Sequence, residues 1–191
     1  MLFAFLAIIL IGAAACLWNR GIWGAGLTLV NVVFAALLAM NFFEPLADKL
    51  GDKNSNTMDF ICLWVLFAVF ATLFRLATDL VSRVKVRFPY MFDVAGAVVL
   101  ALWSGWVVFC FLLVSLHVSP LARSPFFGSF MAAPDHEMLG VAPDRLWLAF
   151  TRQASLGAFG SGEEGFDPRG DFVFKYAARR QQAYELKKLK K

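Results

Sequence analysis

The chain is poor in charge. Asp, Glu, Lys and Arg make up 17% of its 191 residues, against roughly a quarter in ordinary soluble domains, so a fold with a full polar coat is excluded. There are only three cysteines and two histidines. Cys16, Cys62 and Cys110 each fall inside an apolar run, with no Cys-x-x-Cys spacing and no histidine at ligand distance. That rules out a disulfide framework or a structural zinc site and leaves three small buried hydrophobes. No Gly-x-Ser-x-Gly elbow frames any serine, and no Gly-Lys-Ser/Thr loop is present to cradle a phosphate. Asp135, His136 and Glu137 can each bind metal, but adjacent residues do not converge on one ion. The expectation is a protein that is not an enzyme and carries no cofactor. The net charge of +4 is modest and scattered, which argues against nucleic acid as a partner.

Long apolar runs are what the chain has in abundance. Hydrophobic residues reach 60%, well above the roughly 45–50% of soluble proteins. Four runs hold them: Met1–Asn19, Gly21–Phe43, Phe60–Phe74 and Val94–Ala122. About 20 apolar residues of helix cross a bilayer's hydrocarbon. The pattern predicts an all-α membrane protein with four transmembrane helices in two hairpins, at about residues 1–19, 21–43, 58–80 and 93–118. A four-helix transmembrane domain over 1–122 would then precede a polar, partly helical tail over 123–191. Met1 to Ala4 lack the basic start of a secretory signal, so the first run reads as a retained helix.

Boundary residues sharpen this picture. Only Asn19, Arg20 and Gly21 separate the first two runs, which predicts a tight hairpin of neighbouring antiparallel helices, with Trp18 and Trp23 at the membrane surface. Glu44-Pro45 is expected to end the second helix, because proline cannot continue the hydrogen-bond ladder. Arg75, Asp79 and Arg83 recur every four residues, which reads as a polar path or as an amphipathic stalk that continues the third helix to Phe88-Pro89. Since Phe60 to Phe74 already covers about 22 Å, Arg75 and Asp79 are expected at headgroup level. The fourth helix is expected to open near Asp93, whose carboxylate suits the positive end of the helix dipole.

Ala97, Ala101 and Gly105 form a face of small residues that should pack against another helix, of this chain or of a second copy. Asn31, mid-run in the second helix, should bond across to another helix. His117 reads as a hydrated interfacial side chain. In the tail, Asp144 is expected to cap a short helix, and the basic stretch 172–191 is helix-compatible. Arg20, Arg83, Lys85 and Arg87 outweigh Lys49, Lys53 and Arg123 near the spans, which puts both termini outside the cytoplasm.

Arg20-Gly21 in the first turn, Asp93 opening the last helix and Gly105 twelve residues on resemble the motifs of the CvpA (colicin V production) family. The family's intermediate glycines fall on Ala97 and Ala101, and Ser104 replaces its basic residue before the last glycine. The resemblance covers about Met1 to Pro120 and leaves the tail outside. It implies a small bacterial inner-membrane protein, tied to envelope integrity or to toxin production or export, and no mechanism; the leading reading of the residues adds action through helix–helix contacts and the polar tail, without catalysis. Its partners would be the lipid bilayer and either further copies of itself or other membrane proteins. Two alternatives stand beside this: an oligomeric channel or transporter subunit, and a membrane anchor whose tail docks a soluble partner.

Overall fold

The computed structural model describes residues 2–51, 56–82, 88–120, 142–156 and 165–189, and all regular structure among them is helical. In order these are α1 (Leu2–Leu17), a 3-10 turn (Trp18–Arg20), α2 (Gly21–Leu50), α3 (Asn56–Val81), α4 (Tyr90–Val118), α5 (Pro143–Ser155) and α6 (Phe172–Leu189). Three helical stretches are long and apolar enough to cross a membrane: Phe3–Leu50, Asn56–Val81 and Tyr90–Val118. The first of these comprises α1 and α2. Gly21 breaks it, because its φ of +71° is a left-handed backbone that only glycine adopts cheaply.

The chain reverses at that glycine, but α1 and α2 do not pack along each other as a hairpin should. Instead α4 lies between them. Gly21 stands beside Asp93 and Gly26 beside Leu100, so α2 and α4 run the same way. Leu10 and Ala13 meet Gly105, and the Phe5 and Phe109 rings are 6.5 Å apart, so α1 runs against α4. Small residues on α4 make this possible. Ala97 and Ala101 are fully buried beside Leu17 of α1 and Ala25 of α2, and a Cβ on Gly105 would stand 3.1 Å from both Ala13 Cβ and Leu10 Cδ2. The small face is therefore filled from within the same chain.

α3 is antiparallel to the other side of α2. Phe34 meets Phe74 at 6.2 Å, while Phe67 of α3 stacks on Phe111 of α4 at 4.6 Å. Its far side carries Ile61, Val65, Val69, Leu73, Leu76 and Leu80, all exposed and three or four residues apart. A continuous aliphatic stripe of that kind suits lipid.

One expectation fails at the far end of the bundle. α2 does not stop at Glu44-Pro45 but runs to Leu50 with Pro45 inside it. Pro45 cannot donate to the Asn41 carbonyl; docking of Met40, Phe43 and Ala47 into the main core outweighs that loss. The described tail packs onto the bundle at this end: Trp147, Leu148, Phe166, Phe172, Val173 and Tyr176 share that core with Phe111, Val114 and Val118 of α4. The Asp93 carboxylate suggests a start for α4 near that residue; the helix opens three residues earlier, directly after Pro89.

Replacing Gly105 by Leu should push α1 off α4 at an overpacking cost of about 1–3 kcal/mol, whereas Gly105→Ala asks only a few tenths of an ångström of its neighbours. Unfolding titrations in mixed micelles should rank wild type first, Gly105→Ala close behind and Gly105→Leu well below. Equal stability of all three would contradict this packing.

Candidate functional site

Polar chemistry in this bundle is concentrated at its two ends and on one rung between them. At the first end, the N-terminus of α2 has no cap from its own flanking side chains. Asp93 supplies one from α4: the Ile22 backbone N–H donates to Asp93 Oδ1 at 2.8 Å. The first amides of a helix have no partner within it, and a carboxylate there is favoured both as acceptor and by the dipole. The approach is so close that a Cβ on Gly21 would stand 2.6 Å from Asp93 Oδ2. Gly21 and Asp93 thus form one joint, in which glycine provides both the backbone angle and the room. Arg20 is exposed beside it. Trp23 Nε1 donates to Ser82 Oγ at 2.7 Å nearby, tying the start of α2 to the end of α3.

The rung lies on α2 and α3. Asn31, 6% exposed, donates from Nδ2 to Thr78 Oγ1 at 2.9 Å. Arg75 Nε donates to Asp79 Oδ2 at 2.9 Å, and Arg75 Nη1 reaches Thr28 Oγ1 at 3.4 Å. Thr28 is about 10 Å of helix inward from Gly21, so the guanidinium stands below the Gly21–Asp93 joint rather than level with it. The third residue of the sequence pattern, Arg83, lies outside the described residues, as do Asp135, His136 and Glu137.

At the second end the tail closes over the bundle. Tyr176, wholly buried, places its hydroxyl 3.0 Å from Glu44 Oε1 and 3.0 Å from Asp59 Oδ2. Lys175 Nζ donates to Glu44 Oε2 at 2.8 Å, and Arg179 Nη1 donates to Asp59 Oδ2 at 2.9 Å. Arg179 also lies over the Tyr176 ring, 5.3 Å from its centroid. The hydroxyl's one proton serves one carboxylate at a time, and the two cations offset the charge of both. Burial, reinforced by the neighbouring carboxylates, pushes Tyr176 far above the usual tyrosine range, so it stays a neutral donor. This latch went unread in the sequence because its partners lie far apart along the chain. The local signals were two acids bounding a polar stretch and one tyrosine within a basic helix.

His117 and Asp144 form a second contact at this end. They meet Nε2 to Oδ2 at 3.0 Å, with side chains 1% and 5% exposed. His117 is therefore not hydrated. Asp144 is not a helix cap either: α5 opens on Pro143 with no side-chain cap, and the Asp144 carboxylate turns to α4 instead. Burial alone would raise the Asp144 carboxyl, but the hydrogen bond and charge of His117, helped by Arg145, hold it below the ordinary carboxylate range. Beside the latch, a cleft of about 400 Å³ is lined by Asn41, Glu44, Asp48, Phe166, Asp167 and Lys175 among others. Among the described residues, no group of three or more His, Cys, Asp or Glu is gathered as a metal site.

An all-helical bundle with long apolar helices and polar groups gathered at its ends is the build of an integral membrane protein. The family model described as Colicin V production protein matches residues 3–134. The chain belongs to that family. The match takes in α1 to α4, with Gly21, Asp93 and Gly105, and stops short of α5 and α6. No curated protein and no solved structure matches the chain.

Tyr176→Phe leaves two carboxylates without their shared donor, a loss of about 1–3 kcal/mol. Trypsin should then cut at Lys175 and Arg179 several-fold faster in membranes; an unchanged rate would mean α6 is not held there. Since the folded Asp144 carboxyl is depressed, its contribution to docking α5 is present above the unfolded pKa of about 3.9 and lost as pH falls through the folded value, where the unfolded chain binds the proton first. Amide exchange in α5 should therefore accelerate only below about pH 4, and Asp144→Asn should abolish that step. Acceleration already centred near pH 6 would contradict the assignment.

Proposed function

We propose that this is a four-span protein of the bacterial inner membrane, both termini outside the cytoplasm, that supports envelope integrity or the production and export of a peptide toxin through helix–helix contacts and without catalysis. Family membership supports the process. The observation that supports this architecture is the Gly21–Asp93 joint, where the chain turns between α1 and α2 and α2 is capped from α4. Gly21 to Glu44 is about 35 Å of helix, enough to cross a hydrocarbon core of about 30 Å. The basic residues at the Arg20 end favour that end for the cytoplasm. Both the start of α1 and the latched α6 then lie on the opposite side.

Asp93→Ala removes a cap, a loss of about 0.5–2 kcal/mol, and loosens three helices together. In cells lacking the native copy, wild type should restore growth under detergent or bile stress, and Asp93→Ala should restore it at least tenfold less well. Full rescue by a folded, membrane-inserted Asp93→Ala protein would contradict a role carried by these contacts.

One observation favours the channel or transporter-subunit reading: the Arg75–Asp79 pair faces outward from the bundle below the Gly21 end. Purified protein in liposomes decides it, because flux no greater than in empty liposomes removes that reading. The anchor reading must accommodate a tail whose α6 is already held by Glu44 and Asp59.

A further inference from the structure

We propose that the α3 face bearing Arg75 and Asp79 is the docking surface for a second copy of this chain. Each Arg75 reaches the other copy's Asp79 across a two-fold axis along the membrane normal. The inference rests on the four-span reading above.

Three of the four spans define where the hydrocarbon lies. α2 carries no charged side chain between Gly21 and Phe43, α4 none between Val94 and Leu116, and α1 none at all. α3 is locked to α2 in one register, Phe74 against Phe34 and Thr78 against Asn31. That register carries Arg75 and Asp79 into the same slab. The Arg75 guanidinium, at the height of Thr28, is about 10 Å of helix inward from Gly21. Ionisable groups at such depth are costly and face protein or water rather than lipid tails.

This pair does not face the protein's own interior. The Arg75 and Asp79 side chains are 37% and 56% exposed. A guanidinium has five N–H donors; among the described residues Arg75 spends one on Asp79 and one, at 3.4 Å, on Thr28. The pair is thus joined but unsheathed. Thr72 and Ala68, one and two turns before Arg75 on the same side of α3, are exposed as well, and small residues let two helices approach closely in lipid. The other small face, Ala97–Ala101–Gly105, is already filled by α1 and α2.

Charge complementarity selects a second copy as the occupant. Copies in one membrane share one orientation, so a two-fold axis along the normal lays α3 beside α3 in parallel. A cation and an anion four residues apart then form a self-complementary motif, as an isologous contact requires. The axial offset between them is about 6 Å, within the reach of an arginine side chain. The two reciprocal pairs would use the remaining donors and cover the charge from lipid.

Differently tagged full-length chains, co-expressed and extracted in mild detergent, test this. Wild type should co-purify with wild type. Arg75→Asp alone and Asp79→Arg alone should each lose self-association at least tenfold, and the two co-expressed should recover it, although neither copy then has an internal pair. In a Cys16→Ser background, Thr72→Cys should form a disulfide-linked dimer in oxidised membranes, and Val99→Cys on α4 should not. A wild-type chain that is monomeric in its membrane, a mixed pair that fails to recover, or a position-72 cysteine that forms no disulfide or forms one only with another protein would overturn the proposal. Alkaline carbonate extraction and topology reporters on the same samples separate that failure from failure of the four-span reading.

Discussion

A polar group inside hydrocarbon has no water to turn to, so it must find its partner within protein. That single constraint organises this bundle. The start of α2, whose first amides would otherwise be bare, is met by Asp93 from another helix. Asn31 is met by Thr78, and Thr28 returns its hydroxyl proton to the Gly24 carbonyl. Everything that cannot be satisfied in this way is pushed to the ends, where Glu44, Asp59, His117 and Asp144 collect under the tail. The exception is the outward pair on α3.

α2 is the spine through which these requirements are coupled. Its first turn is capped by α4, its middle bonds to α3, and its last turns receive α6. Loosening the Gly21–Asp93 joint therefore acts on α1, α2 and α4 at once, since the turn, the cap and the small-residue packing share the same few residues. The tail works at the opposite end by burying a tyrosine between two acids. Family-matched helices and unmatched tail are thus joined by one core.

Much of this was legible in the residues alone. Apolar run length announced the long helices, and Arg20-Gly21, Asp93 and Gly105 announced the family. Chain order misled where tertiary contact outranked it. A three-residue turn suggests that its two helices pack together, yet Asp93 draws α4 between them. Pro45 carries a strong local stop signal, but the energy that overrides it comes from Tyr176 and Phe172, more than a hundred residues away. Asp144 carried a local capping signal, but His117 claims its carboxylate. Run length puts Arg75 and Asp79 at the headgroups, because it takes the centre of α3 from its own apolar stretch; the register of α3 against α2 supports the deeper placement proposed above.

That register is open to direct measurement. Nitroxide labels placed one at a time at Ile61, Val65, Val69, Leu73, Leu76 and Leu80, on the exposed stripe of α3, report immersion depth in reconstituted bilayers. If the Gly21–Asp93 and Glu44–Asp59 ends bracket the hydrocarbon, depth should rise along the series to a maximum near Leu73 and Leu76, with Ile61 at the headgroups. A maximum at Val65 to Val69, with Leu76 and Leu80 already at the surface, would show that the charged pair is never immersed and would contradict the account.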